Sequence, residues 1–284
     1  QACYTECVVS FLAIHGPARF VDDSVASVVS GILDTFHQFT RRDGHEATGD
    51  FREPGVIVDR LPDAAAGHVV RARPIRPHAG NAPLVREMVD LLHIQLRCLT
   101  GGMAIRGAVV VDLLRLGSNG NEPLSGPAFS GRALSGPARS RAREMEANEV
   151  NFPRIAVGEE IVRRLKSDES LWTEDANLRA EMELIECMMA ADGAGQHYID
   201  YLRAGLGDFD YDFDRYAEFL GRHKRFVETG LVGASIWGTR AACDWLKNYH
   251  NARIDEDILG SGSGAAVDAC GRAMAAVLTP LRIA

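Results

Sequence analysis

The sequence predicts an α/β protein of the α+β kind, with a sheet assembled in the order β-α-β-β-α-β and helices packed on one of its faces. Three observations predict it. Short apolar runs are bounded by turn residues, amphipathic stretches with a helical repeat separate them, and two of the runs stand close enough to form a hairpin. With 284 residues, 46% of them hydrophobic and 25% charged, the chain can bury a sizeable core and has the make-up of a globular protein.

The first strand is the apolar run over residues 7–14, which ends at a His-Gly-Pro turn. Asp22, Asp23 and Ser24 suit a helix N-terminus, and Val25, Val28, Val29, Ile32, Leu33, Phe36 and Phe39 follow at helical spacing. Residues 55–61 and 68–75 are two candidate strands of a hairpin. Pro83 opens a second helix carried by Val85, Met88, Val89, Leu92 and Leu96, and Gly101-Gly102 ends it. A strand over 103–114, a Gly/Ser/Pro-rich connection over 117–137, a helix over 138–148 and a strand over 153–157 complete the plan. This is the split βαβ, ferredoxin-like arrangement, which hosts many functions. Beyond Lys166 the pattern is helical, over 174–189 and 216–246, so the sequence divides into a core, 1–167, and a mainly helical C-terminal extension, 168–284, packed on it. The Gly-Ser-Gly-Ser-Gly run at 260–264 follows no strand and reads as a linker.

A net charge of -8 argues against a protein that coats nucleic acid, since that binding depends on Lys and Arg displacing counterions. No apolar run reaches eighteen residues, and the first apolar stretch lacks the flanks of a signal peptide, so a cytoplasmic protein without a membrane span is expected. Cys3, Cys7, Cys98, Cys187, Cys243 and Cys270 form no C-x-x-C pair and read as reduced thiols.

Several landmarks fall in one order: residues 9–16 (Val-Ser-Phe-Leu-Ala-Ile-His-Gly), 105–111 (Ile-Arg-Gly-Ala-Val-Val-Val), 135–148 from Ser-Gly-Pro-Ala, and 152–155 (Phe-Pro-Arg-Ile). Later come 197–202, 222–226 and 245–251. Together they resemble the pyrimidine cyclases of the bacterial Pycsar anti-phage system, which have the class III nucleotide cyclase fold. The resemblance implies a homodimer with composite sites that converts UTP or CTP to the 3′,5′-cyclic monophosphate, a messenger acting on a separate defence effector. In that reaction the ribose 3′-hydroxyl attacks the α-phosphate and diphosphate leaves, with two Mn2+ or Mg2+ ions holding the triphosphate between two aspartates. It also implies that Phe11, Ile14 and Arg71 contact the nucleotide and that Arg141 stabilises the transition state.

The chain departs from that family where the metal aspartates belong: the first-strand position is Ala13 and the hairpin position is Gly67. Neither can ligate through its side chain, although the Ile14 carbonyl could touch an ion and Asp59, Asp63 or Asp22 could stand close. Loss of activity is the direct expectation. Ser-Gly-Pro-Ala also occurs twice, at 125–128 and 135–138, and Val111 replaces the family's glycine before Asp112.

Other residues have plainer readings beside the functional ones. Arg139, Arg141 and Arg143 form either a phosphoryl clamp or a solvated basic face answered by Glu144, Glu146 and Glu149. Arg71 and Arg73 share one strand face and either meet a triphosphate or rim the sheet. His15 reads as a turn residue. The rival to a cyclase is a non-catalytic cyclase-homology dimerisation or scaffold protein, favoured by Ala13 and Gly67. A small-ligand or RNA-binding domain would need stacked aromatics that the strands lack.

Overall fold

The structure, a computed structural model, describes residues 4–15, 57–60, 68–75, 80–100, 102–115, 134–169, 176–209, 212–232, 240–260 and 269–284. Its strands are β1 (Tyr4–His15), β2 (Ile57–Arg60), β3 (Val69–Pro74), β4 (Ala104–Arg115), β5 (Ile155–Val157), β6 (Met189–Ala191) and β7 (His197–Ile199). The helices are α1 (Ala82–Thr100), α2 (Pro137–Glu149), α3 (Glu159–Ser167), α4 (Ala176–Met188), α5 (Tyr201–Asp208), α6 (Phe213–Val232), α7 (Arg240–Gly260) and α8 (Ala269–Leu278), followed by a 3-10 turn at Thr279–Leu281. The expected helix over 25–39 lies outside the described residues, as do Gly67, Asp22, Asp63 and the first Ser-Gly-Pro-Ala copy.

The described strands form one sheet in the order β2-β3-β1-β4-β5-β7-β6. Neighbours are antiparallel except β4 and β5. Since β1 and β2 both oppose β3, they run parallel to each other with β3 inserted between them. β1 lies inside the sheet and both its faces are covered, which explains why it reads as a continuous apolar run rather than an alternating one. Val8 and Leu12 point to one side and join the α1 residues Leu84, Met88, Leu91 and Leu92. Cys7, Val9 and Phe11 point to the other and join Ala138, Ala142 and Met145 of α2. Helices therefore cover both faces, which corrects the one-face expectation. The reason lies in α2, where Ala138 and Ala142 are small enough for close approach to β1 and β4. Burying one large side chain such as Met88 or Leu92 contributes about 1.5–3 kcal/mol.

β1 and β4 also approach closely. A Cβ on Gly107 would stand 2.5 Å from the Phe11 carbonyl oxygen and 2.6 Å from Leu12 Cδ2, so only glycine fits there. At the C-terminus of α1, Gly102 (φ +80°) turns the chain into β4, as the Gly-Gly pair predicts.

The C-terminal extension does more than pack on the sheet, because β6 and β7 complete it. Their hairpin is held at Asp192, whose carboxylate accepts from the amides of Ala194 (2.9 Å) and Gln196 (3.0 Å) and pairs with Arg154 at 2.7 Å. The expected helical stretch over 216–246 is helical in its described residues, in α6 and α7; residues 233–239 lie outside them. Among the described residues no helix is long and apolar enough to cross a membrane, and Cys7, Cys98, Cys187 and Cys243 are free thiols.

Candidate functional site

The end of β1 carries Ala13, whose cross-strand partner on β4 is Arg106. On its other side, β3 opposes Val69 to Leu12, and His68 precedes Val69; the hairpin position Gly67 lies outside the described residues. Ala13 is buried, on the sheet face that α2 covers.

A charged group occupies that end of the sheet. The Arg106 guanidinium pairs with Glu146 of α2, Nε to Oε1, at 2.6 Å, and the Glu146 carboxylate is almost fully enclosed. His68 lies against the Phe11 ring, with centroids 5.2 Å apart and planes tilted by 40°. Burial lowers the His68 pKa; Glu146 opposes the shift, while Arg106 and Arg143 reinforce it, so the imidazole is neutral at pH 7. Phe11 is itself buried and reaches the site through His68. Ile14 lies on β1 as expected, paired with Ile105, and His15 belongs to the strand rather than to a turn, paired with Ala104.

Helix α2 presents its arginines differently. Arg141 and Arg143 are exposed, and Arg141 has no ion-pair partner among the described residues. Arg139 turns back to donate to the Leu134 carbonyl. Glu146 answers Arg106 across the sheet rather than an arginine of its own helix. The basic face of α2 is thus less neutralised than the sequence suggests.

Arg71 requires a correction. Neither at the sheet rim nor open to a triphosphate, it is wholly enclosed between β3 and α1. Its Nε donates to Glu87 Oε1 at 3.0 Å, and its Nη2 reaches Glu87 Oε2 at 3.2 Å and Asp90 Oδ2 at 2.7 Å. Arg73 joins at Asp90, 2.8 Å away, and the Ser10 hydroxyl donates to Glu87 at 2.8 Å. Burial works against the Arg71 and Glu87 charges, but their mutual attraction outweighs it: the guanidinium pKa rises and the carboxyl pKa falls. The physical reason is that two carboxylates on the sheet-facing side of α1 need cations, and β3 supplies both.

Among the described residues, those at the Ala13 end of β1 offer no pair of carboxylates for a two-ion centre. Ala13 offers no side-chain oxygen, and the charge facing it across the strands is the cation Arg106. Of the nearby carboxylates, Asp59 falls on β2 opposite Val70, one strand further from β1. The sequence pairs Glu146 with the arginines of its own helix and assigns no role to His68 or Arg106. The only signals for the group are a histidine at a strand entry, an arginine within an apolar strand, and a glutamate on the alanine face of α2. No protein-family model matches the chain, and no curated protein is significantly similar to it.

Proposed function

We propose that this chain is a pyrimidine nucleotide cyclase of the class III kind, built to convert UTP or CTP to the 3′,5′-cyclic monophosphate, whose metal-holding positions are replaced by Ala13 and Gly67. The observation that carries the reading is the strand arrangement β2-β3-β1-β4 with antiparallel neighbours. That order supports reading the sheet as a ferredoxin-like core, in which the Ala13 end of β1 is where the family's two aspartates would share a pair of divalent ions. Exposed Arg141 on α2 is the group offered to the phosphoryl oxygens of a partner subunit's nucleotide in a homodimer. Arg71 is left out of the nucleotide contacts and assigned to the core.

A second reading is favoured by one observation. With alanine at position 13, Arg106 and Glu146 already neutralise each other, so the site is electrostatically closed without any ion. On that reading the chain keeps the fold and dimer surface and acts as a scaffold.

The two are separated by incubating the protein, and an Ala13→Asp, Gly67→Asp variant, with each ribonucleoside triphosphate and manganese, then measuring cyclic products by mass. The variant is expected to tolerate the new carboxylate because Arg106 faces it. Cyclic UMP or CMP from the variant alone supports a disabled cyclase. Silence from both, with folding and self-association intact, leaves the scaffold.

A further inference from the structure

A second polar cluster lies away from the sheet, where α5, α6 and α7 meet residues 279–284. Tyr201, His223 and His250 are all buried there. Tyr201 Oη is 2.9 Å from His223 Nε2, His223 Nδ1 is 3.0 Å from His250 Nδ1, and His250 Nε2 is 2.9 Å from the Leu281 carbonyl oxygen. The two imidazoles stack, with centroids 5.0 Å apart and planes 8° from parallel.

The far end fixes the protons. A carbonyl only accepts, so His250 donates from Nε2 and its Nδ1 accepts. His223 must then donate from Nδ1, which leaves its Nε2 to accept the Tyr201 hydroxyl proton. Every contact is satisfied with both rings neutral. A proton added to His250 sets N–H against N–H at the Nδ1 contact. One added to His223 goes to Nε2, displaces the Tyr201 proton from its acceptor and leaves an enclosed charge with no carboxylate bonded to it among the described residues.

The charges around the pair are few. Lys224 and Glu228 bear on His250 from α6, while Asp200, at the start of α5, is engaged by the Tyr249 hydroxyl of α7. Arg282 is paired to Asp255. Burial and the adjacent His250 hold His223 well below the usual histidine range, and burial lowers His250 despite its bond to the Leu281 carbonyl.

The relay ends on the main chain of a segment that other side chains also hold by its main chain. Lys224 Nζ donates to the carbonyls of Pro280 (2.9 Å) and Arg282 (2.8 Å). Asn251 pairs with both main-chain groups of Ile283, each at 2.9 Å, and Lys247 reaches the Ala284 oxygen. Side chains add to this: Ile283 is buried against Val227 and Leu246, Leu281 packs against the main core, and Arg282 pairs with Asp255.

We propose that residues 279–284 are a latch across α6 and α7 that opens when the His223–His250 pair takes up a proton. Opening uncovers an apolar pocket at Val227 and Leu246, flanked by Lys224, His250 and Asn251.

The test is hydrogen exchange of the full chain from about pH 7.5 to about pH 4.5, corrected for intrinsic rates, which compares the Ile283 amide with amides of α1. The expected result is loss of Ile283 protection by about tenfold or more while α1 stays protected. In a His223→Asn, Tyr201→Phe variant the amide still donates to His250 and can turn its carbonyl round when His250 is protonated, so the step should vanish. Ile283 protection that is independent of pH, or that falls together with α1 in both proteins, overturns the latch. Should the double variant not fold, Ile283→Asp opens the latch without touching the histidines. The amide of residue 283 is then unprotected at every pH, and a surviving pH step there overturns the proposal.

Discussion

The Arg71 cage between β3 and α1 and the His223 relay among α5, α6 and α7 both place polar groups where water does not reach. One is held by opposite charges and the other by neutral tautomers. In the cage, Arg71 and Arg73 face Glu87 and Asp90, so the loss of one member strands a charge of opposite sign. In the relay the loss of one member strands only a hydroxyl or a ring nitrogen. A charged network is therefore the costlier to break, and a neutral one the more easily disturbed by a proton.

The largest expected effect is at Glu87. Glu87→Ala should lower stability by about 3–5 kcal/mol in denaturant unfolding, since Arg71 is left enclosed with Asp90 shared between it and Arg73. Arg71→Leu combined with Glu87→Leu should recover about 2 kcal/mol or more relative to the sum of the single changes. Full additivity would mean that the cage is not the coupled unit its geometry describes.

Smaller, but of the same origin, is His223→Phe. It removes the partner of the Tyr201 hydroxyl and of His250 Nδ1, at a cost of about 2–3 kcal/mol. Tyr201→Phe alone should cost less, because His223 Nε2 is then the single orphan. Equal losses from the two changes would argue against a relay.

Acid separates the networks. His223 has a folded pKa below the ordinary 6.5, so the unfolded chain takes up the proton first, and stability falls as pH drops below about 6.5. The slope is about 1.4 kcal/mol per pH unit for one proton. Glu87 is depressed below 4.5, so its contribution is intact above that value and is lost only as pH falls towards its folded pKa. Asp90 of the cage, raised to about 6 by burial and Glu87, is protonated first in the folded chain and opposes the upper fall, so His223→Phe should lessen the loss below about 6.5 while Glu87→Leu lessens the loss below 4.5. A single fall insensitive to both changes would undo the contrast.

Much of the sheet was legible because its elements are long or strongly patterned. β1 and β4 are continuous apolar runs, and α1 carries its stripe through Leu84, Met88, Leu91 and Leu92. The same regularity hid the cage. Glu87 sits inside that stripe, three residues after Leu84 and four before Leu91, so a polar residue at an apolar position was the available signal. Its partners were visible as the alternation of Arg71 and Arg73, but alternation says that two residues share a face, not which face is covered. His223 gives the same signal on α6, four residues after Phe219 and four before Val227, both buried. The β6–β7 hairpin could not be read at all: Met-Ala-Ala and His-Tyr-Ile are too short for a period of two to show. The candidate site was half legible, since Ala13 was placed correctly on a strand end, whereas Glu146 reaches Arg106 only through tertiary packing.

The smallest effect on stability is expected at Arg141, an exposed arginine with no ion-pair partner among the described residues. Arg141→Ala should shift Tm by no more than about 2 °C, in contrast with any change at Arg71. That makes it a clean chemical probe. In the Ala13→Asp, Gly67→Asp background, a fall in cyclic product of about a hundredfold at unchanged Tm would assign Arg141 to the transition state, because the loss could not come from unfolding. Unchanged product would make α2 a solvated basic face, and the charge that builds on the phosphoryl oxygens would have to be met from elsewhere, with Arg143 on the same helix the next group to remove.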